Sequence, residues 1–398
     1  MPKLTPFHAR TSELCEGESW QEWSGYLSAD SYELDHSYEY NAVRMGCGLF
    51  DISPLYKYHV RGRDALALLN RMVTRDVSKC RVGQVIYTAW CDDDGKIVDD
   101  GTIARLAEDF FRITTAISTL HWLQDVGFGM QVEVEDVSDE QGALALQGPT
   151  SKDLLQELTS TDLDSLRYFR ILEDKIAGIP VRLSRTGYTG DLGYELFVEP
   201  ENAHSLWDAL MEKAEAYKLR PAGTIALDMV RIEAALILID AEFTSASQAM
   251  YPIQRSTPYE LGLDWVINLK KDSFIGQRAL REEYARGPAW TTVGIQVDVV
   301  ALEALYNRFG MPLMLPYQSW IDAIPLYLDG RNEKQIGKAT SGMWSPTLKL
   351  YLALARIKPE YAKSGTRIHM EATIEGQRFS VPATVVDTPF FDPPRKRA

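Results

Sequence analysis

The period of the hydrophobic positions changes several times along this chain, and each change marks a new element. "ADSYELDHSYEYNAVRMG" (29–46) opens on Asp30 as a cap and closes on Gly46, a spacing that predicts a helix. "YKYHVRG" alternates like a strand, and "DALALLNRMV" (64–73) predicts a helix opened by Asp64. "VIYTAWCDDDGKIVDDGTIARLAEDFFRITTA" then gives strand, Asp-Gly turn, strand, turn and strand, the pattern of an antiparallel meander. A helix is expected over 118–126, strands in "MQVEVEDVS" and "GALALQGP", and a further helix in "SKDLLQELT".

Downstream, Leu206, Trp207, Leu210, Met211 and Ala214 recur at helical spacing within 203–219. "RPAG" (220–223) breaks that helix, and "TIALDMVRIEAALI" begins another. From about Thr291 the chain is mainly strands, which predicts a smaller β-barrel or sandwich domain. Sheet and helix alternate without a strand–glycine fingerprint–helix order, so the class is α+β and not doubly wound. The expected organisation is an α+β region over 1–285, a β-barrel domain over 286–390 and a disordered tail over 391–398.

At 398 residues the chain exceeds what one core serves. A net charge of −14 excludes nucleic acid and anionic membranes as partners, since both would repel it. No run approaches the roughly eighteen apolar residues of a membrane span, and no signal-peptide core opens the chain. Four cysteines scattered without a CxxC pair suit reduced thiols in a cytoplasm, and no metal-ligand cluster is visible.

The densest chemistry lies in "SRTGYTGDLGYELFVEP", Ser184 to Pro200. Gly187, Gly190 and Gly193 recur every third residue, which lets the backbone come close to a neighbouring group. Glu195 alternates with Tyr194 and Leu196, so it faces the other side of their strand. A carboxylate held on a strand can accept two parallel N–H bonds from a planar ligand, and a pterin ring presents such a pair. In "KIVDDG" the neighbours Asp99 and Asp100 end a strand and point to opposite faces, so only one can line a given cavity.

"RTGYTGDLGYE" resembles the signature of the aminomethyltransferase (glycine-cleavage T-protein) family of tetrahydrofolate enzymes. "GLFDIS", "GKIVDD", "LALQGP", "RPAG", "TPYELGLDWVINL", "FIGQRAL" and "ATSGMWSPTL" follow in the family's order over nearly the whole chain. The resemblance implies a three-lobed cloverleaf with a C-terminal β-barrel and a central folate channel. It implies Asp100 as the catalytic aspartate, also in contact with the folate. Glu195, Tyr87, Tyr188 and Thr115 are implied as further folate-binding residues, Thr115 standing where the family has an asparagine.

The pattern departs from the T-protein at "WSGYLSA", at "ISPLYK", at Leu227 in place of an arginine, and in an aromatic segment from Val299 to Ile321. These departures resemble the family's demethylase branch, with the insertion as a lid over an apolar substrate. The implied activity moves a methyl group from a small donor to N5 of tetrahydrofolate, most simply from a methoxylated aromatic acid, with no obligatory protein partner. The alternatives are a glycine-cleavage aminomethyltransferase, a dimethylsulfoniopropionate-type sulfonium demethylase and a non-catalytic folate-binding protein. Ether cleavage also needs an acid on the departing phenolate; His8, His59, His121 and tyrosines of the 20s to 50s are its candidates.

Overall fold

A computed structural model describes residues 1–397. Two sheets and a closed barrel carry the architecture. The five-stranded sheet has the order Gln84–Cys91, Ile97–Ala107, Phe110–Thr115, Tyr56–Arg61 and Glu133–Asp136. Its outer face buries Tyr58, Val60, Ile86 and Phe111 against Leu68, Leu69 and Leu123 of two helices. The six-stranded sheet runs Ile171–Ile176, Ile179–Ser184, Gly193–Val198, Gly142–Gln147, Cys47–Asp51 and Leu219–Pro221. Its outer face buries Leu144, Leu146, Tyr194 and Leu196 against Leu154, Leu206 and Trp207. The inner faces of the two sheets meet one another, through Val85 and Ala104 on Ile171 at one edge and Arg112 on Phe197 further in.

The C-terminal strands close a six-stranded barrel, Gln377–Val386 pairing with Thr291–Val297 to complete it. The expected β-domain is therefore a barrel and not a sandwich. It is fastened to the α+β region through the helix Thr224–Glu233 and the loop after it. Glu233 accepts from Ser345 of the barrel at 2.5 Å, and Glu242 accepts from Ser341 at 2.5 Å and Thr340 at 3.1 Å.

Three local expectations are corrected. The 29–46 helix is a strand, Tyr26–Ser31, followed by a shorter helix, Ser37–Met45. Asp30 caps nothing: the strand Ser19–Trp23 pairs with this segment, and that pairing overrides the local cap signal. Asp99 and Asp100 lie inside the strand Ile97–Ala107, which continues to its hairpin with Phe110–Thr115.

The tail is ordered as far as Arg397, and Ala398 lies outside the described residues. Phe391 donates its backbone N–H to Glu233, and its ring lies under the Arg44 guanidinium at 4.2 Å. Arg395 forms two bonds, 2.6 and 2.9 Å, to Asp191 inside the glycine-rich loop. Asp191 has no exposed side-chain surface, and a buried carboxylate needs cationic partners. That demand orders a segment whose composition reads as disordered. Arg395→Ala should therefore destabilise the protein by about 1–3 kcal/mol, seen as a lower urea midpoint; an unchanged midpoint would show that Arg44, 3.5 Å from Asp191, suffices alone.

Candidate functional site

The cross-strand register settles which side chains enter the space between the sheets. Ala89 pairs with Asp100, Tyr87 with Thr102 and Val85 with Ala104, so all six share the inner face. Thr102 pairs with Thr114 and Ala104 with Arg112, which puts Thr114 and Arg112 on that face as well. Thr115 pairs with Gly101 and stands on the opposite face, buried, with its hydroxyl donating to the Ile117 carbonyl at 2.7 Å. The expected folate contact at Thr115 is corrected accordingly, and Thr114 holds the inner position one residue earlier.

Tyr87, Asp100 and Tyr188 come together. Tyr87 donates to Asp100 Oδ2 at 2.6 Å, and its ring stacks on Trp265 with centroids 5.6 Å apart. Tyr188 donates to the carbonyl of Ile237. Protein surrounds Asp100 while part of its surface stays open to the cleft. This desolvation pushes the carboxyl up to about 6, against the stabilising bond from Tyr87. Asp99, on the outer face, accepts from Ile117 N–H at 3.2 Å. Burial, and then the Asp100 charge, raise it well above the carboxylate range.

Glu195 faces this group from the six-stranded sheet. Thr186 donates to its Oε2 at 2.6 Å, and Ser184 shares a 2.8 Å bond with Thr186. Burial raises the Glu195 carboxyl, with Thr186 and the Arg112 charge acting in the opposite direction. The glycines of the loop serve this arrangement. The Gln147 amide occupies the places where a Cβ on Gly187 or Gly193 would sit, at 2.0 and 2.3 Å from those positions. From there it donates to the Thr186 carbonyl at 3.2 Å and accepts from Thr189 at 2.8 Å. The loop is thus drawn onto a neighbouring strand, which aims Thr186 at Glu195.

Three further residues complete the site: Gln147 and Trp265, which stand inside the quoted motifs with no role assigned to them, and Arg112, which lies outside them. The signal for Arg112 was an arginine at an inward position of the strand "FFRITT". Leu227 packs, beside Trp23, Leu55 and Ile225, against the cluster that holds Ala145 and Phe197 of the six-stranded sheet's inner face. The Val299–Ile321 segment is mainly packing. Leu302 and Leu305 enter the barrel core, and Tyr317 meets the His36 ring at 4.5 Å. Of the acid candidates, His59 is held down to about 4, first by burial and then by Arg61, so it is neutral at pH 7. His8 lies against Trp20. Among the described residues no group of acidic, histidine and cysteine side chains could hold a metal, and no helix is long and apolar enough to cross a membrane.

The molecule is thus an α+β body whose two sheets face one another around an aspartate and a glutamate, with a six-stranded barrel latched behind. Residues 7–271 match the GCVT N-terminal domain, and residues 323–392 the glycine cleavage T-protein C-terminal barrel domain. The chain belongs to the glycine-cleavage T-protein (aminomethyltransferase) family, which uses tetrahydrofolate as substrate or cofactor. It is 34% identical to an aminomethyltransferase of Halothermothrix orenii over 89% of this chain and 90% of that one. It is also 34% identical to the trimethylamine-oxide aldolase of Ruegeria pomeroyi, over 100% of this chain but 48% of that protein, so it spans about half of the aldolase's length. The crystal structure of aminomethyltransferase T from Bartonella henselae superposes with a TM-score of 0.82 at 22% identity, covering 98% and 99% of the two chains.

The raised Asp100 carboxyl has a consequence for stability. Its folded value is about 6 and its unfolded value about 4, so the folded chain holds the extra proton between these limits. The associated stability is complete below about pH 4 and is lost as pH rises through about 6. Asp100→Asn should remove that loss and stabilise the free protein at pH 7 by about 1–3 kcal/mol. Denaturant titrations of both proteins at pH 4 and pH 7 should show the gain at pH 7 only; destabilisation at pH 7 would contradict the assigned environment.

Proposed function

We propose that the chain is a tetrahydrofolate-dependent one-carbon transferase in which Glu195 holds the pterin and Asp100 handles the proton. We further propose that the carbon comes from a small donor in which it is bonded to nitrogen. The residues fit a reduced folate. Glu195 Oε1 accepts no hydrogen bond among the described residues and is free for the donor edge of a pterin. Tyr87, Trp265 and Tyr188 supply flat walls.

The observation that carries the reading is the disposition of protons at the site. Tyr87 already donates to Asp100, Tyr188 donates to Ile237, and His59 is neutral. Asp100 is then the proton carrier of the site, and with a pKa of about 6 it is mostly ionised at pH 7. Tetrahydrofolate, when bound, supplies the nitrogens that accept the carbon. Ionised Asp100 takes up the proton released there and sets negative charge beside a cationic donor, while Tyr87 and Trp265 fix its orientation.

Such a site suits donors whose leaving group departs neutral, as an amine does. An aryl ether releases a phenolate, which wants a spare acid at pH 7. Of the features that suggested a methoxylated acid, the aromatic segment packs into the barrel core. The relatives' names point the same way: an aminomethyl group and trimethylamine oxide both carry the carbon on nitrogen. The donor is proposed to be free in solution, with no partner protein needed.

The test is incubation with tetrahydrofolate and free donors of each kind, N-linked, sulfonium and methoxybenzoate, followed by analysis of the folate products. The expected product is 5,10-methylenetetrahydrofolate, with release of the free amine, from an N-linked donor whose carbon is already at the formaldehyde level (an aminomethyl compound) or from an amine N-oxide, whose N–O bond accepts the two electrons. Phenol release with 5-methyltetrahydrofolate would overturn the nitrogen reading in favour of ether demethylation. Activity only with an aminomethylated lipoyl protein would restore the partner-dependent one. Asp100→Asn should lower turnover about a hundredfold or more and leave the folate Kd within about twofold. Glu195→Ala should raise that Kd about tenfold or more, the usual effect of losing hydrogen bonds to a charged group.

A further inference from the structure

Arg112 is a buried cation on the inner face of the five-stranded sheet. It is 3% exposed. Its Nε and Nη1 are sealed from solvent without a hydrogen-bond partner. Burial holds it down at about 9, Glu195 being the opposite charge that it feels and Arg182 a like one. A guanidinium carries five donors, and leaving them unpaired in the interior is costly. Gln147, by comparison, satisfies its amide within the protein.

The placement is as specific as the deficit. Arg112 projects from the inner face of Phe110–Thr115, and its guanidinium lies flat on the Phe197 ring, 3.4 Å from the centroid. Phe197 is two residues beyond Glu195 on the same inner face. An unpaired guanidinium and a carboxylate whose charge it feels thus face the same inter-sheet space, one a donor and the other an acceptor.

From this juxtaposition we propose that Arg112 is a second recognition residue for the ring that Glu195 holds, donating to its C4 carbonyl oxygen. The inference rests on the folate reading given above. In the 2-amino-4-oxo ring, the amide N–H and the amine form one donor edge, and the C4 oxygen sits next to that amide N–H. A carboxylate reads the first and a guanidinium the second. Arg112 is then kept unpaired in the free protein because its partner arrives with the ligand. The stack on Phe197 fixes its plane, so little freedom is lost on binding.

The experiment compares wild type, Arg112→Met and Arg112→Gln by calorimetric titration with three reduced ligands. These are tetrahydrofolate, its 4-amino analogue, and 6-methyltetrahydropterin, which has the ring but no glutamate tail. The free Arg112→Met protein should melt about 1–3 °C higher, because an unpaired buried charge is gone. Its Kd for tetrahydrofolate should rise about tenfold or more, and for 6-methyltetrahydropterin by a similar factor. The ratio of affinities should shift about tenfold toward the 4-amino analogue, which offers no carbonyl there. The Gln variant, which keeps a neutral donor, should fall between the two and carries the test if the Met variant does not fold. Normal tetrahydrofolate binding by the variants, an unshifted 4-oxo to 4-amino ratio, or a loss confined to the ligand with the tail would each overturn this inference and leave the folate reading standing. Wild-type protein that binds none of the three ligands overturns both.

Discussion

Two buried carboxylates, Glu233 and Glu242, decide how the lobes sit on one another. Glu233 ends the helix Thr224–Glu233 and takes bonds from Arg44 at 2.7 Å, from Tyr40 at 2.5 Å and from Ser345 of the barrel at 2.5 Å. Nine residues on, Glu242 takes bonds from Arg231 at 2.6 Å, from the Leu238 N–H at 2.8 Å and from two barrel hydroxyls. Removing such groups from water is expensive, and only several well-directed bonds to each offset it. A displaced barrel would strip hydroxyls from both carboxylates at once, so the arrangement resists small slides. The loop between them supplies Ile237, whose carbonyl holds the Tyr188 hydroxyl. The latch and the site therefore share a segment.

The same economy of charge runs through the cleft. Asp100, Glu195 and Arg112 are each desolvated and each short of partners, and in all three burial disfavours the charged form. A core built for stability alone would not keep all three. Groups that are under-bonded in the free protein and gathered around one space are what a ligand-binding site contributes and a packing core avoids. The glycine-rich loop belongs to this design. Its glycines admit the Gln147 amide, the amide ties down Thr186, and Thr186 orients Glu195.

Much of this was legible in the sequence wherever a period of two decides a face. The alternation of Tyr194, Glu195 and Leu196 put the glutamate inward, and the Asp99–Asp100 pair split as expected. The reading failed where one residue of register mattered. Thr115 and Thr114 are equivalent to a motif and opposite in a strand, because neighbouring side chains point to opposite faces. It failed again where the cause was distant in the chain. Asp30 is strand through its pairing with Ser19–Trp23, and the tail is ordered through Asp191, some two hundred residues earlier. Leu227 and the Val299–Ile321 segment show a third limit, since a departure from a family pattern marks a change without saying what it faces.

The central claim is that the facing sheets form one folate site, with Glu195 on one wall and Asp100 on the other. A crystal structure of the protein with tetrahydrofolate bound tests it most directly. The account predicts the pterin between the sheets, its donor edge on Glu195 and its reactive nitrogens toward Asp100 and Tyr87. Tetrahydrofolate seated elsewhere, or a pterin that leaves Glu195 bonded to Thr186 alone, would contradict it.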